Sequence, residues 1–127
     1  MTFTAAERVF LGEARLGRIA TTSADHVPDV APVGFSVDGD DILVGGMDIT
    51  KTLKYHNIRA TGTGSFVVDD LASVDPWRPR GVKVTGAAVI EDGGRRPRIR
   101  ITPDTVWSWG INQDAQKRFG PIEKRSA

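Results

Sequence analysis

The sequence predicts a single, mainly β domain folded as an antiparallel barrel, and three observations lead to this prediction. Six segments with the composition or alternation of β-strands follow one another at fairly even spacing. Glycine-rich turns separate many of these segments, whereas little of the chain has helical periodicity. The length of 127 residues is that of one domain, with no internal repeat or long linker. We therefore expect one domain over residues 1–127.

The chain is predicted to begin with a short helix. Residues 4–7, Thr-Ala-Ala-Glu, form a capping box, with a hydroxyl at the N-cap and a carboxylate three positions later. The helix is expected to run to about Arg15. Val9, Phe10 and Ala14 have the spacing of a face turned toward the core.

The six strands and a second short helix follow. The strands are predicted over residues 18–22, 29–37, 42–46, 64–69, 81–91 and 98–109. Asp-Gly at 38–39 is a hairpin signal that pairs the second and third strands. Pro103 makes the sixth strand locally an edge or a bend. The second helix is expected over 50–59, with Leu53 and Ile58 turned inward.

Two segments are predicted to lack strands. Residues 70–80 contain Pro76 and Pro79, which disfavour regular structure, so a loop is expected there. Residues 112–127 are polar and are expected to begin as a helix and then fray as a C-terminal tail.

Composition and charge exclude several kinds of function. The chain has no cysteine, which rules out disulfides, thiolate zinc sites and a cysteine nucleophile. His26 and His56 have no metal-binding spacing, so no metal site is expected. The formal net charge of +1 argues against a nucleic-acid partner. The four arginines between residues 95 and 100 are interpreted as a charged sheet edge that discourages aggregation.

No targeting or membrane segment is predicted. The first residues have neither the basic region nor the apolar run of a signal peptide. No stretch approaches the roughly 18 apolar residues that a membrane span requires. We therefore expect a cytoplasmic protein with no membrane partner. The glycine-rich phosphate loops and the Gly-x-Ser-x-Gly elbow are also absent.

Two sets of residues are candidates for ligand binding. Thr50, Lys51, Thr52 and Lys54 lie at the start of the second predicted helix, where free backbone amides and lysines favour a phosphate. From spacing alone, a solvated helix with ordinary surface lysines is the favoured interpretation. In the second set, Trp77 and its neighbouring arginine Arg78 lie in a proline-stiffened loop. They are typical of a dimer-interface anchor, a lid over an anionic ligand, or a plug for the end of the barrel.

An ordered set of short motifs resembles a known family. The motifs are Arg-Ile-Ala-Thr at 18–21, Pro-Val-Gly-Phe at 32–35, Thr-Lys-Thr-Leu-Lys at 50–54, Asp-Asp at 69–70 and Val-Lys-Val-Thr-Gly at 82–86. Their order and spacing are similar to those of the pyridoxamine-phosphate-oxidase-like split barrels. Residues 66–81 and Trp-Ser-Trp-Gly at 107–110 resemble more narrowly the branch that depends on the deazaflavin coenzyme F420. The resemblance covers roughly residues 5–111.

The resemblance implies a fold and an assembly. The implied fold is a six-stranded antiparallel split β-barrel, the FMN-binding split barrel, with short flanking helices. The implied assembly is a homodimer with two cofactor sites at its interface.

The resemblance also implies site residues. It assigns the cofactor phosphate to Thr50, Lys51 and Lys54, in preference to the solvated-helix interpretation. It places the cofactor ring against Ala20, Ala31, Pro32 and Val33, although a core strand explains these residues equally well.

The implied function is hydride transfer between F420 and an unsaturated small-molecule acceptor. Two alternatives stay open: an FMN-binding oxidase or reductase of the same fold, and a carrier that holds a flavin or deazaflavin without turnover. The basic side chains Lys51, Lys54, Arg59, Arg78 and Arg80 suit the anionic tail that F420 carries in addition to its phosphate. No catalytic acid is assigned, because hydride transfer depends more on close stacking and exclusion of water.

Overall fold

One antiparallel sheet of eight strands makes up most of the molecule. The computed structural model describes residues 2–92, 94, 96–112 and 122–127. The strands are β1 Gly17–Thr22, β2 Pro28–Val33, β3 Phe35–Asp38, β4 Asp41–Val44, β5 Thr63–Ser73, β6 Arg78–Glu91, β7 Arg98–Trp109 and β8 Glu123–Ser126. Their order in the sheet is β2-β1-β5-β6-β7-β4-β3, with β8 also paired to β7.

The sheet curls into a half-barrel because of one chain junction. Strands β2 and β3 stand at opposite ends of the strand order, yet Gly34 alone separates them in sequence. Since consecutive Cα atoms are about 3.8 Å apart, the two ends of the sheet must approach each other. The single strand predicted over 29–37 is therefore two strands that belong to opposite ends. The predicted mainly β, split-barrel class is confirmed, with eight strands instead of six.

Strands β5 and β6 form a long hairpin that replaces the loop predicted over 70–80. Strand β5 continues to Ser73, and β6 begins at Arg78. Strand β1 pairs with β5 only at residues 65–67, and β7 pairs with β6 only from Gly81 onward. Residues 70–80, named the arm below, therefore extend beyond both neighbouring strands. The loop prediction was wrong because a proline is compatible with a ribbon that has a free edge.

The first helix begins as predicted, the second begins three residues later than predicted, and each helix exposes a residue that was expected in the core. Helix α1 covers Ala5–Glu13 and has the predicted capping box at its N-terminus. Phe10 is buried, whereas Val9 is 59% exposed, contrary to the prediction. A 3₁₀ turn over Ile49–Lys51 leads into helix α2, Leu53–Thr61. Ile58 is buried as predicted, but Leu53 is exposed.

The hydrophobic core lies on the concave face of the sheet. Strand alternation brings side chains from six strands to this face, and α1, α2 and Phe3 add to them. The ring of Phe66 lies directly on Gly17, where a Cβ atom would come within 2.2 Å of it. The fully buried side chains include Phe3, Leu11, Ile19, Ile42, Val44, Phe66, Val82, Val84, Ile99, Ile101 and Val106.

The C-terminal residues Glu123–Ser126 form a strand, although a frayed tail was predicted. Strand β8 pairs with β7 at residues 105–108, while β4 pairs with the same edge of β7 at residues 99–101. Pro103 lies between these two pairings, where the register with β6 also shifts, so the strand continues through it. The helix predicted after residue 112 falls at 113–121, outside the described residues.

A buried carboxylate fastens β8 to the other end of the chain. The Glu7 side chain is fully buried and accepts hydrogen bonds from Arg125 on β8 (2.9 Å to Nη1), from Asn112 (3.0 Å) and from the backbone amide of Thr4 (3.0 Å). Arg125 also donates to the carbonyl of Thr2. These contacts explain why a polar C-terminal segment is ordered.

Candidate functional site

The turn before α2 is organised by Asp48. Its carboxylate accepts hydrogen bonds from the hydroxyl and the backbone amide (3.1 Å) of Thr50. The Thr50 hydroxyl contributes most to lowering the pKa of Asp48. Lys51 is highly exposed, and its Nζ lies 3.8 Å from Asp48. The donors of Thr50 and the charge of Lys51 are therefore partly used within this turn.

The start of α2 retains donors for an anion. The Thr52 hydroxyl caps the helix by accepting from the amide of Tyr55 at 3.4 Å. The first amides of a helix have no acceptor within the helix, which leaves those of Leu53 and Lys54 available. The Lys54 side chain is half-buried beside them. The Thr52 hydroxyl and backbone amide both donate to the carbonyl of Ile49, at 2.5 and 3.0 Å. Of the four predicted phosphate ligands, Lys54 is therefore the best placed, because its ammonium group and a helix N-terminus act together there.

The predicted floor for the cofactor ring is divided between two faces of the sheet. Ala20 and Pro32 are exposed on the convex face. Ala31 lies opposite the buried Ile19, and Val33 is itself buried, so both face the core. In the described part of the sheet, β2 is an end strand whose second edge pairs with no other strand. Its free backbone groups are suited to the polar rim of a flat ring.

The arm carries the remaining predicted residues, Trp77 and Arg78. The Trp77 side chain is 46% exposed at the tip. Arg78 is half-buried and its Nε atom is buried without a hydrogen-bond partner among the described residues. Arg80, in contrast, is engaged by two hydrogen bonds to Asp70, of 2.8 and 2.6 Å, which do most to raise its pKa. Arg78 is thus the arginine of the arm that retains capacity for an anion.

Within one chain, the structure does not bring the arm close to residues 48–54, which form the turn before α2 and its first residues and are named the α2 turn below. Arg96, beyond the end of β6, donates to the carbonyl of Met47, and Ala88 on β6 donates to the carbonyl of Gly62. The segment between Met47 and Gly62 therefore starts and ends beside the C-terminal half of β6. Arg78 begins the same strand. At about 3.3 Å per residue, the ten positions from Arg78 to Ala88 span about 30 Å.

Sequence reasoning missed an aromatic and cationic group on the convex face. The ammonium of Lys83 lies 4.3 Å from the ring centre of Trp107, and that of Lys124 lies 5.6 Å from it. Trp109 lies flat on Gly81, where a Cβ atom would come within 2.2 Å of its ring. The alternation of residues along β7 predicts that Trp107 and Trp109 share one face of the sheet. Nothing in the sequence predicts that β8 pairs with β7 and brings Lys124 to Trp107.

A cleft of about 280 Å³ opens at the base of the arm, between it and the end of α1. Phe10 and Val68 form part of its apolar wall, and Arg15, Arg18 and Asp69 lie at its border. Positive and negative side chains are mixed here, so the cleft has no dominant charge. Within the described residues, no group of three or more potential metal ligands was found, and no helix is long and apolar enough to cross a membrane.

Comparison with known proteins identifies the family. The family model described as pyridoxamine 5'-phosphate oxidase matches residues 5–119. The chain belongs to this family. One relative of this chain is the 5a,11a-dehydrotetracycline/5a,11a-dehydrooxytetracycline reductase of Streptomyces rimosus. The two sequences are 35% identical over 124 residues, which cover 90% of this chain and 87% of the relative.

Solved structures share the fold of this family member. A conserved hypothetical protein from Mycobacterium tuberculosis has a TM-score of 0.71 at 21% identity, over 85% of each chain. The FAD binding protein from Mycobacterium smegmatis has a TM-score of 0.64 at 22% identity, over 82% of this chain and 92% of the other. At these identities the likeness concerns the fold alone.

Proposed function

We propose that this protein is a cytoplasmic oxidoreductase that binds F420 and transfers a hydride to an unsaturated small-molecule acceptor. The observation that carries the proposal is the 35% identity to a tetracycline-pathway reductase over nearly the whole of both chains. Membership of the pyridoxamine 5'-phosphate oxidase family supports chemistry of the flavin type. The choice of F420 rests on the resemblance of residues 66–81 and 107–110 to the F420-dependent branch.

The residues present fit a phosphate-bearing flat cofactor. The free amides of Leu53 and Lys54 and the Lys54 ammonium form an anion site at the start of α2, while the free edge of β2 offers backbone donors and acceptors to a ring. Ala20 and Pro32 present no long side chain on the convex face, which leaves room for close approach. When bound, F420 supplies the hydride, and this chain positions and shields it.

The protein side of the reaction consists of binding, orientation and exclusion of water. Lys54 and the first amides of α2 hold the phosphate end, and the β2 edge orients the ring. Tyr55 and His56 on α2 carry the side chains near this end that have an ionisable proton, and their rings pack edge to face with centres 5.3 Å apart. We assign neither of them as a proton donor. The proposal also includes a homodimer, because the convex face and the arm leave apolar side chains uncovered in one chain.

Cofactor titration tests the proposal. Purified protein is titrated with F420 and, separately, with FMN, and cofactor fluorescence is recorded. We expect F420 to bind at micromolar concentration or tighter. Lys54→Ala should weaken binding at least tenfold, about 1.4 kcal/mol, because the phosphate loses its charged partner. Lys51→Ala should have a smaller effect, since Lys51 is exposed and close to Asp48.

A matched control and a turnover assay separate the alternatives. Lys124→Ala removes a lysine at β8 and should leave F420 binding unchanged. Tight FMN binding in place of F420 supports the FMN-dependent alternative, and cofactor binding without turnover of any unsaturated acceptor supports a carrier. If neither cofactor binds at high concentration, the oxidoreductase proposal is wrong although the fold stands.

A further inference from the structure

The α2 turn contains a carboxylate beside the position that the proposed function gives to the cofactor phosphate. Asp48 caps the 3₁₀ turn over Ile49–Lys51, and Thr52 both ends this turn and caps α2. The amide of Thr52 donates to the carbonyl of Ile49 at 3.0 Å, so the chain bends tightly between Asp48 and the first amides of α2. An anion at the start of α2 therefore lies within one turn of chain from a negative charge.

The Asp48 carboxylate occupies donors that an external anion would use. One of its oxygens accepts hydrogen bonds from the hydroxyl and from the backbone amide (3.1 Å) of Thr50. The other oxygen lies 3.8 Å from the ammonium of Lys51. The Thr50 hydroxyl contributes most to lowering the pKa of Asp48 below its ordinary value, so the carboxyl group is ionised at neutral pH. Asp48 thus acts as an internal anion within the turn.

Arg96 brings a further cation to the α2 turn. It lies beyond β6, donates to the carbonyl of Met47 at 3.4 Å and, together with Lys51, favours the ionised form of Asp48. Lys54, in contrast, forms no ion pair with the described residues. What remains for a ligand is the Lys54 ammonium and the first amides of α2, a set that suits a single negative charge.

The two candidate cofactors present different phosphates to this site. FMN ends in a phosphate monoester, which carries about 1.5 to 2 negative charges at neutral pH because its second pKa is about 6. In F420 the phosphate links the side chain of the ring to the anionic tail, so it is a diester with one negative charge. The second charge of a monoester is repelled by a neighbouring carboxylate.

From these contacts we infer that Asp48 makes the anion site selective for a phosphodiester over a terminal phosphate. The carboxylate competes with the ligand for Thr50 and Lys51, and it repels the second charge of a monoester. The inference rests on the proposed function, because it concerns the same phosphate site, and it supplies a physical reason for binding F420 in preference to FMN.

A series of ligands that differ only in phosphate charge tests the role of Asp48. The deazaflavin ring of F420 is prepared without a phosphate, with a terminal phosphate, and with that phosphate as its methyl ester. Each compound is titrated at pH 8 and its fluorescence is recorded. We expect the wild type to bind the methyl ester at least fivefold more tightly than the terminal phosphate, about 1 kcal/mol.

Asp48→Asn should abolish this preference. The substitution removes the charge but keeps a side-chain oxygen that can accept from Thr50, so the turn is retained. Binding of the terminal phosphate should strengthen at least fivefold, because the repulsion is lost and Lys51 is released. Binding of the methyl ester should change less, and binding of the ring without phosphate should not change.

Asp40→Asn is the matched control. The side chains of Asp40 and Asp48 are both 48% exposed, and each carboxylate lies beside one basic side chain, Arg8 and Lys51 respectively. Asp40→Asn should leave the affinities for all three compounds unchanged. Circular dichroism establishes that both variants fold.

Salt provides a second measurement that needs no variant. Raising the NaCl concentration from about 50 to about 500 mM should reduce the wild-type preference for the methyl ester, because salt screens the repulsion of the second charge. If cations dominated the site, salt would weaken binding of the terminal phosphate more than that of the ester. A preference that grows with salt therefore overturns the inference.

The remaining outcomes separate the selectivity of Asp48 from the proposed function. If the wild type binds neither F420 nor FMN, the proposed function fails and the inference falls with it. If the wild type binds F420 but Asp48→Asn changes the affinities for the terminal phosphate and the methyl ester equally, the inference alone is wrong. A wild type that binds FMN more tightly than F420 contradicts both.

Discussion

At the scale of single residues, Glu7 illustrates how a charge is held inside the molecule. Burial alone raises the pKa of a carboxyl group, but hydrogen bonds from Arg125, the Thr4 amide, Ser108 and Asn112 outweigh it and lower the pKa of Glu7 to about 2. The hydrogen bonds from these donors compensate the buried carboxylate for its lost hydration. If one donor is removed, the cost of burying the charge is no longer compensated and the protein is destabilised. The capping-box role of Glu7 was predicted, whereas its burial and its partner Arg125 were not.

The shifted pKa predicts how stability changes with pH. Because the folded pKa of Glu7 is about 2 and its ordinary value is 4.5, its contribution is complete above pH 4.5 and is lost as pH falls toward 2. The shift corresponds to about 3 kcal/mol. Urea denaturation at pH 7 and pH 3 should show that Glu7→Gln lowers the free energy of unfolding at pH 7 and reduces the loss between the two pH values. An unchanged pH dependence in Glu7→Gln contradicts this assignment.

The burial of two other residues was predicted incorrectly, for the same reason in both helices. Helical spacing placed Val9 and Leu53 in the core, yet both are exposed. The spacing defines which residues share a face of a helix, but the direction of that face depends on the sheet that packs against it. Phe10 and Ile58, whose positions also satisfy the spacing, are the ones that meet the sheet.

At the scale of elements, the sequence predicts which segments form strands better than it predicts where one strand ends and the next begins. The Asp-Gly hairpin between β3 and β4 is confirmed, with Gly39 at a φ of 61°. The junction between β2 and β3 was not predicted, because alternation continues unbroken from Val33 through Phe35 to Val37. The arm was missed for the opposite reason: its prolines indicate a loop, but a two-stranded ribbon accommodates Pro79 opposite Leu71.

Two glycines, Gly34 between β2 and β3 and Gly81 in β6, should respond in opposite directions to alanine. At Gly34 a Cβ atom meets nothing within 4 Å and φ is not positive, so Gly34→Ala should stabilise the protein by up to about 1 kcal/mol through the unfolded state. At Gly81 the Cβ atom collides with the Trp109 ring, so Gly81→Ala should destabilise it by about 1–3 kcal/mol.

Thermal unfolding with tryptophan fluorescence measures both variants. Gly81→Ala should also change the emission of the native state, because Trp109 must leave its position on the strand. Similar stability losses in the two variants would show that the bend at residue 34 requires glycine, contrary to the geometry.

At the scale of the whole molecule, the fold class could be predicted from the sequence, but the order of the strands in the sheet could not. Short motifs in the right order identified the family, and the family model matches residues 5–119. The strand order places β2 and β3 at the two ends of one sheet, a relation that local patterns do not contain. Lys54 and Arg78, both predicted to bind the cofactor, lie toward opposite ends of β6 within one chain, which local patterns do not show either.

The exposed tip of the arm predicts a change in association without a change in folding. Trp77 is 46% exposed in a single chain, so Trp77→Ala removes little intrachain packing, whereas in a docked arm the same side chain anchors the partner. We expect Trp77→Ala to raise the dimer dissociation constant at least tenfold in sedimentation experiments and to leave far-ultraviolet circular dichroism unchanged. Val9→Ala, which truncates an exposed apolar side chain on α1, is the matched control and should leave the dissociation constant unchanged. Equal effects of the two variants would place the interface of the proposed homodimer away from the arm.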